Sequence, residues 1–171
     1  MPSIDKNAEA LVRSTKILII DDEYYTRKVI RTMLTSMGVR QILEANDGLA
    51  GIDAIKTVTP DIALLDWEMP GLDGSGFMRV VRSPETFPYP DVPVIMLTGH
   101  GEKSLVLEAV RLGIHEYLLK PVSSQALLGR IMSILTNPRP MIRKGSYYGP
   151  EPRKGNPYKP HFDAAHMVLV N

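Results

Sequence analysis

Four short apolar runs, each followed at once by a residue that can bind or neutralise charge, restrict this chain more than any other feature. The runs are Lys16-Ile17-Leu18-Ile19-Ile20, Ile62-Ala63-Leu64-Leu65, Val94-Ile95-Met96-Leu97 and Glu116-Tyr117-Leu118-Leu119. Behind them stand Asp21-Asp22, Asp66, Thr98 and Lys120-Pro121. Runs of four or five apolar residues separated by helical segments read as buried parallel strands. In an open parallel sheet the chemistry lies beyond the carboxyl ends of the strands, so these residues are expected to meet in one pocket. Three carboxylates, a hydroxyl and an ammonium suit a divalent cation and a phosphoryl group.

Asp21 and Asp22 end the first strand and Asp66 the third. Packed together, three carboxylates raise one another's pKa unless a cation neutralises them. Oxygen-only ligands fit Mg²⁺, which takes few carboxylates and keeps waters and phosphate oxygens. An ordinary reading is that the acidic stretch merely opens a helix, where negative charge suits the dipole, and Glu23 is expected to do so. Asp66 lies in Asp66-Trp67-Glu68-Met69-Pro70-Gly71-Leu72-Asp73-Gly74, whose Pro-Gly and Asp-Gly pairs require turns. A strand-tip carboxylate beside a metal can attack phosphorus and hold the group as an acyl phosphate. Asp73 is expected to cap the next helix. The Thr98 hydroxyl could donate to a phosphoryl oxygen, with Gly99 allowing close backbone approach. Lys120 would act as a point cation; Pro121 ends the strand and could take a cis bond, which would aim the lysine. Singly, such a Thr is a turn residue and such a Lys a surface residue; their register with the acids gives them weight.

The ordered set of motifs resembles the receiver domain of two-component response regulators over about residues 16 to 137. The matching residues are Asp21-Asp22-Glu23 with Arg27, Asp66 with Met69-Pro70-Gly71 and Asp73-Gly74, Pro93 to Thr98, and Tyr117 with Lys120-Pro121. The resemblance implies Asp66 as phosphoacceptor, and Mg²⁺ held by Asp22, Asp66 and the backbone carbonyl of Glu68, with Asp21 acting through a water. It implies Thr98 and Lys120 as readers of the phosphoryl group and Tyr117 as an aromatic switch. Glu68 and His100, each two residues beyond a site residue, would tune dephosphorylation. The fold it implies is α/β, a doubly wound five-stranded parallel sheet of flavodoxin type with strand order 2-1-3-4-5. The partners it implies are a sensor histidine kinase or histidine phosphotransfer protein, a downstream protein and a second copy of the chain.

Helical stripes fit that frame. Val29, Ile30, Met33, Leu34 and Met37 form one, stopped by Gly38. A second begins at Asp47 and ends at Thr59-Pro60, and a third spans about residues 74 to 82. A fourth runs from Glu102, presenting Leu105, Val106, Ala109 and Val110, to near Gly113. The last starts at a Ser123 cap and shows Leu127, Leu128, Ile131, Met132 and Leu135. The link from Arg82 to Val92, with Pro84, Pro88 and Pro90, is longer than such folds usually carry.

The expected division is a 1–15 extension with a weakly helical stretch from Asn7 to Arg13, a 16–137 receiver and a 138–171 tail. Residues 1–136 carry 14 Lys+Arg against 17 Asp+Glu, whereas residues 137–171 carry 6 against 2. The tail also holds six of the fourteen prolines, too many for it to fold alone. Its aromatic and apolar residues, Ile142, Tyr147, Tyr148, Tyr158, Phe162 and Met167-Val168-Leu169-Val170, fit an arm docked on its own receiver or on a second subunit; the alternative is a disordered tail that engages only a downstream partner. With no cysteine, disulfides and thiolate metal sites are excluded. No apolar run has the length of a membrane span and no leader pattern is evident, so a cytoplasmic protein is expected.

Rival classes fare worse. A phosphatase of haloacid-dehalogenase type also joins an Asp nucleophile to Mg²⁺, but it needs Asp-x-Asp on an early strand. A flavin or dinucleotide binder would need a Gly-rich first loop, where this chain is acidic and bulky. No helix-turn-helix follows the domain, so direct DNA binding is not expected. The expectation is a phosphoacceptor signalling protein rather than an enzyme.

Overall fold

The structure, a computed structural model, describes residues 5–155, 160–162 and 167–169. Helix α1 (Lys6–Ser14) leads into β1 (Lys16–Ile20), α2 (Tyr24–Ser36), β2 (Gln41–Ala45), α3 (Gly48–Val58), β3 (Ile62–Asp66) and α4 (Gly74–Val81). There follow β4 (Val94–Thr98), α5 (Lys103–Arg111), β5 (Glu116–Leu119) and α6 (Ser124–Thr136). Strands β1 to β5 form one parallel sheet in the order β2-β1-β3-β4-β5, the flavodoxin-like order that was expected.

Alternation along the strands divides the core in two. Leu18, Ile20, Leu65, Val94 and Met96 pack toward Ile55, Phe77 and Ala109 of α3, α4 and α5. Ile17, Ile19, Leu64, Ile95 and Leu97 pack toward Ile30, Leu34, Leu127 and Ile131 of α2 and α6. With both faces covered, the central strands are buried from Ile17 to Ile20, Ile62 to Asp66 and Val94 to Thr98, and apolar there except for the terminal Asp66 and Thr98. Strand β2 lies at an edge and is only partly covered, so its Gln41-to-Ala45 sequence is mixed and lacks an apolar run.

The caps follow the chemistry of each residue. Asp47, Asp73 and Ser123 accept from the backbone N–H groups of Ala50, Gly76 and Ala126. Glu23 stands at the cap position of α2 without such a bond; its carboxylate accepts instead from the Thr26 hydroxyl at 3.1 Å. Gly38 follows α2 at φ 94°, which a non-glycine residue would resist. Val29 departs from its expected stripe: it is 52% exposed, because Ile30 and Leu34 face the sheet and it sits on their flank. Helix α1 inserts Val12 into the same core and packs beside α6.

Strands β6 (Met141–Lys144) and β7 (Tyr147–Pro150) make an antiparallel hairpin, and β8 (Pro160–Phe162) pairs antiparallel with β9 (Met167–Leu169). The β6–β7 hairpin docks on its own domain through Tyr147, which is 2% exposed and donates its hydroxyl to the Pro150 carbonyl at 2.6 Å. A Cβ on Gly149 would stand 2.8 Å from the Gly113 Cα, so the two backbones touch. Docking of Tyr158 and Val170 lies outside the described residues.

Candidate functional site

The carboxyl ends of β1, β3, β4 and β5 bring together the residues singled out from the sequence. Carboxylate oxygens of Asp21, Asp22 and Asp66 all lie within 4.8 Å of one another. Asp21 is completely buried and Asp66 is 3% exposed, whereas Asp22 faces solvent. Lys120 reaches in from the end of β5 and donates to Asp21 Oδ2 at 3.1 Å and Asp66 Oδ1 at 3.0 Å. Its bond to Pro121 is cis.

Each acid is held by the loop that carries it. Asp21 Oδ1 accepts from the Glu23 N–H at 2.8 Å, and the Asp21 carbonyl accepts from Arg27 Nη1 at 2.7 Å. Arg27 and Arg31 both pair with Glu44 on β2, which fixes the first turn of α2 against the sheet. Beyond Asp66, the Gly74 N–H donates to the Trp67 carbonyl at 2.9 Å. Any Cβ on Gly74 would meet the buried Trp67 ring at 2.4 Å. That glycine therefore allows the turn to fold back over the tryptophan, and Asp73 starts α4 there.

Electrostatics single out Asp66. Burial pushes its carboxyl up to about 6; the nearby Asp21 charge adds to the rise, and the Lys120 hydrogen bond opposes it. Burial alone would depress the Lys120 ammonium, but its bond to Asp66 and the charge of Asp21 hold it above its ordinary value. Two buried acids thus share one ammonium, and the pocket is short of positive charge. The three acids offer hard oxygen donors of the kind Mg²⁺ takes, so the residues present fit that ion.

Thr98 is fully buried. Its hydroxyl donates to Glu68 Oε1 at 2.5 Å and accepts from the His100 N–H at 3.0 Å. The hydroxyl is thus engaged away from Asp66 by the residue two beyond it. This bond went unseen in the sequence, where Glu68 carried only a metal-binding carbonyl and a place near the attacking water. His100 is exposed and its ring lies 3.5 Å from Glu102. Tyr117 is half-buried beside the core on the α5 side of the sheet.

A second polar centre, at the opposite end of the sheet, was not visible in the sequence. Arg82, only 8% exposed, donates to the carbonyls of Gly113 at 3.0 Å and Pro90 at 2.5 Å, and lies 3.3 Å from His115 Nδ1. Val94 N–H also donates to His115 Nδ1, at 3.3 Å. The long Arg82-to-Val92 link and the tail meet here: Tyr148 donates to Asp91, and Arg143 pairs with Glu85. A long link and a tail rich in Tyr and Arg were separate signals in the sequence; nothing in it paired them.

Comparison with known proteins agrees with the geometry. The family model of the response regulator receiver domain matches residues 17–132. The chemotaxis protein CheY of Pseudomonas aeruginosa is 33% identical over 119 residues, 70% of this chain and 94% of that protein. Among solved structures, the receiver domain of the Francisella response regulator 1452 superposes with a TM-score of 0.64 at 30% identity, covering 71% of this chain and 96% of that one. The CheX–CheY–BeF3–Mg²⁺ complex of Borrelia burgdorferi gives 0.64 at 29% identity, covering 70% and 88%.

Proposed function

The chain belongs to the response regulator receiver domain family, and on that premise we propose that it is a phosphorylation-operated switch in which Asp66 accepts the phosphoryl group. The observation that carries this reading is the buried Asp66 carboxylate, bonded to Lys120 and within reach of Asp21 and Asp22. The donor would be a phosphohistidine of a sensor kinase or phosphotransfer protein. An Asp66 oxygen attacks phosphorus, the P–N bond breaks, and the imidazole leaves with a proton. Asp22, Asp66 and the Glu68 carbonyl would hold Mg²⁺, with Asp21 acting through a water; bound there, the ion would offset the charge developing on the transferring oxygens. Lys120 supplies a fixed cation to the same oxygens without any metal.

The switch then turns on Thr98. A phosphoryl group on Asp66 offers new acceptors, and the Thr98 hydroxyl must leave Glu68 to reach them. Space vacated near Thr98 would be filled by Tyr117, altering the α5–β5–α6 surface that a protein partner or a second copy reads. Glu68 therefore competes for the hydroxyl as well as lining the path of water, with His100 on the other side. A haloacid-dehalogenase phosphatase has little support here, because the residue two beyond Asp66 is a glutamate turned toward Thr98. Among the described residues no helix is long and apolar enough to cross a membrane, and we place the switch in the cytoplasm.

The test is intact mass after incubation with acetyl phosphate. The full chain should gain one phosphoryl group in Mg²⁺ and none in chelator. An Asp66→Asn variant that gains it as readily as the unaltered protein would defeat the assignment.

A further inference from the structure

The hairpin's docking closes a cavity of about 320 Å³ at the amino ends of β4 and β5, the end of the sheet opposite Asp66. One side carries the cationic Arg139 and Arg153, both from the tail, with the His115 imidazole from the domain beside them. The other side is apolar, made by Ile134, Pro138 and Met141. Arg82 lies directly behind His115.

Charge in this corner is only partly balanced by the groups around it: Asp91 acts on Arg82, and Glu116 on Arg139 and Arg153. Arg139 spends its donors on the backbone carbonyls of His115 at 2.6 Å and Glu151 at 3.2 Å, and Arg82 binds two carbonyls and the imidazole. Among the described residues neither guanidinium has a carboxylate within ion-pair distance. Arg153 pairs with Glu116 at 3.0 Å and donates to the Ser133 hydroxyl at 2.5 Å. Its Nε is buried with no hydrogen-bond partner, which leaves one desolvated donor unused. Asp91 also lines the cavity; its carboxylate accepts from Tyr148, and its charge acts on Arg82. Burial lowers the Arg139 pKa, and the Arg153 charge lowers it further; His115 is held neutral by burial and then by the Arg82, Arg139 and Arg153 charges. The carbonyl bonds account for how the tail is held. They do not account for the concentration of cations or the spare donor.

We propose that this cavity binds a small organic anion, with a phosphate or carboxylate head on Arg139 and Arg153 and an apolar body against Ile134 and Met141. Guanidinium forks match the oxygens of either head group. The volume lies at the lower end of small-molecule sites, larger than a bare inorganic ion needs. Both guanidiniums of the site belong to the tail, so ligand and docked tail stabilise each other by linkage. This inference does not rest on phosphorylation of Asp66.

Phenyl phosphate is a suitable probe, titrated into the full isotope-labelled chain in chelator and followed by amide and arginine side-chain NMR. Saturable shifts are expected at His115, Arg139 and Arg153, with none at Asp22, Asp66 or Thr98. Benzoate should act on the same signals, and phenol at the same concentration should not. Arg153→Gln should weaken binding at least about fivefold, in line with loss of one charge-assisted hydrogen bond, while the Tyr147 amide shift reports whether the hairpin stays docked. No saturation of the unaltered protein by about 10 mM, equal binding of phenol, or shifts confined to the Asp66 pocket would overturn the proposal. So would undiminished binding in Arg153→Gln.

Discussion

Lys120 carries much of the electrostatics of the site on a single ammonium group, since both buried acids bond to it. Lys120→Met removes that charge and leaves Asp21 and Asp66 facing each other. The Asp66 carboxyl should then titrate above its present value of about 6, as read by carbon NMR in chelator; an unchanged or lower value would contradict the arrangement. The Thr98 hydroxyl donates to the Glu68 carboxylate and accepts from the His100 backbone N–H. Replacing Glu68 by Ala frees the hydroxyl, and a bond worth about 1 kcal/mol corresponds to about fivefold in a rate. Dephosphorylation of Glu68→Ala should therefore differ from the unaltered rate by roughly that factor; His100→Ala keeps the backbone N–H that bonds Thr98, so it tests only the exposed imidazole beside the path of water. Unchanged decay in both would remove these residues from the account. The acids, Thr98 and Lys120 were legible in the sequence because each stands at or just beyond the carboxyl end of a strand, where local pattern fixes position. The Glu68–Thr98 bond depends on how two loops from different strands approach, and no local pattern encodes that.

Hairpin β6–β7 is held by contacts too close to admit extra atoms. At Gly113, with φ 93°, an added Cβ would stand 2.6 Å from the Tyr148 carbonyl. Gly113→Ala should therefore displace the hairpin, giving fast amide exchange over residues 141–150 while β1 to β5 stay protected. Tyr147→Ala acts from the other side, emptying a buried aromatic site at a cost of about 3 kcal/mol. Urea unfolding should show that loss as a single lowered midpoint if tail and domain unfold together. The sequence signalled that Tyr147 and Tyr148 were poor choices for a solvated linker, yet left open which copy of the domain they dock on. Their receptor, built from Gly113 and the proline-containing link that begins at Arg82, is spread over two loops and has no shared periodicity. Strand β2 was equally hidden, for an edge strand needs no continuous apolar run.

At the scale of the whole molecule, the sheet has a polar centre at each end, and the two respond to acid with opposite sign. His115 has a folded pKa far below its ordinary 6.5, so below pH 6.5 the unfolded chain binds a proton that the folded chain refuses. Stability from this group is present above pH 6.5 and falls as the pH drops toward the folded pKa, by at most about 1.4 kcal/mol per pH unit. Asp66 works the other way: its raised pKa favours protonation when folded, so acid relieves a penalty between about 6 and 3.8. The difference between the unaltered chain and His115→Gln isolates the first effect. Their stabilities, measured in urea without Mg²⁺, should converge as the pH falls from 7 to 5. A constant gap would mean that His115 is not held neutral. The central claim concerns the other end of the sheet, and it is tested most directly by locating the phosphoryl group. After acetyl phosphate and Mg²⁺, borohydride reduces an acyl phosphate to the alcohol, and peptide sequencing by mass spectrometry finds the altered residue. The account requires homoserine at position 66 and unmodified Asp21 and Asp22; modification of either of those, with Asp66 intact, would contradict it.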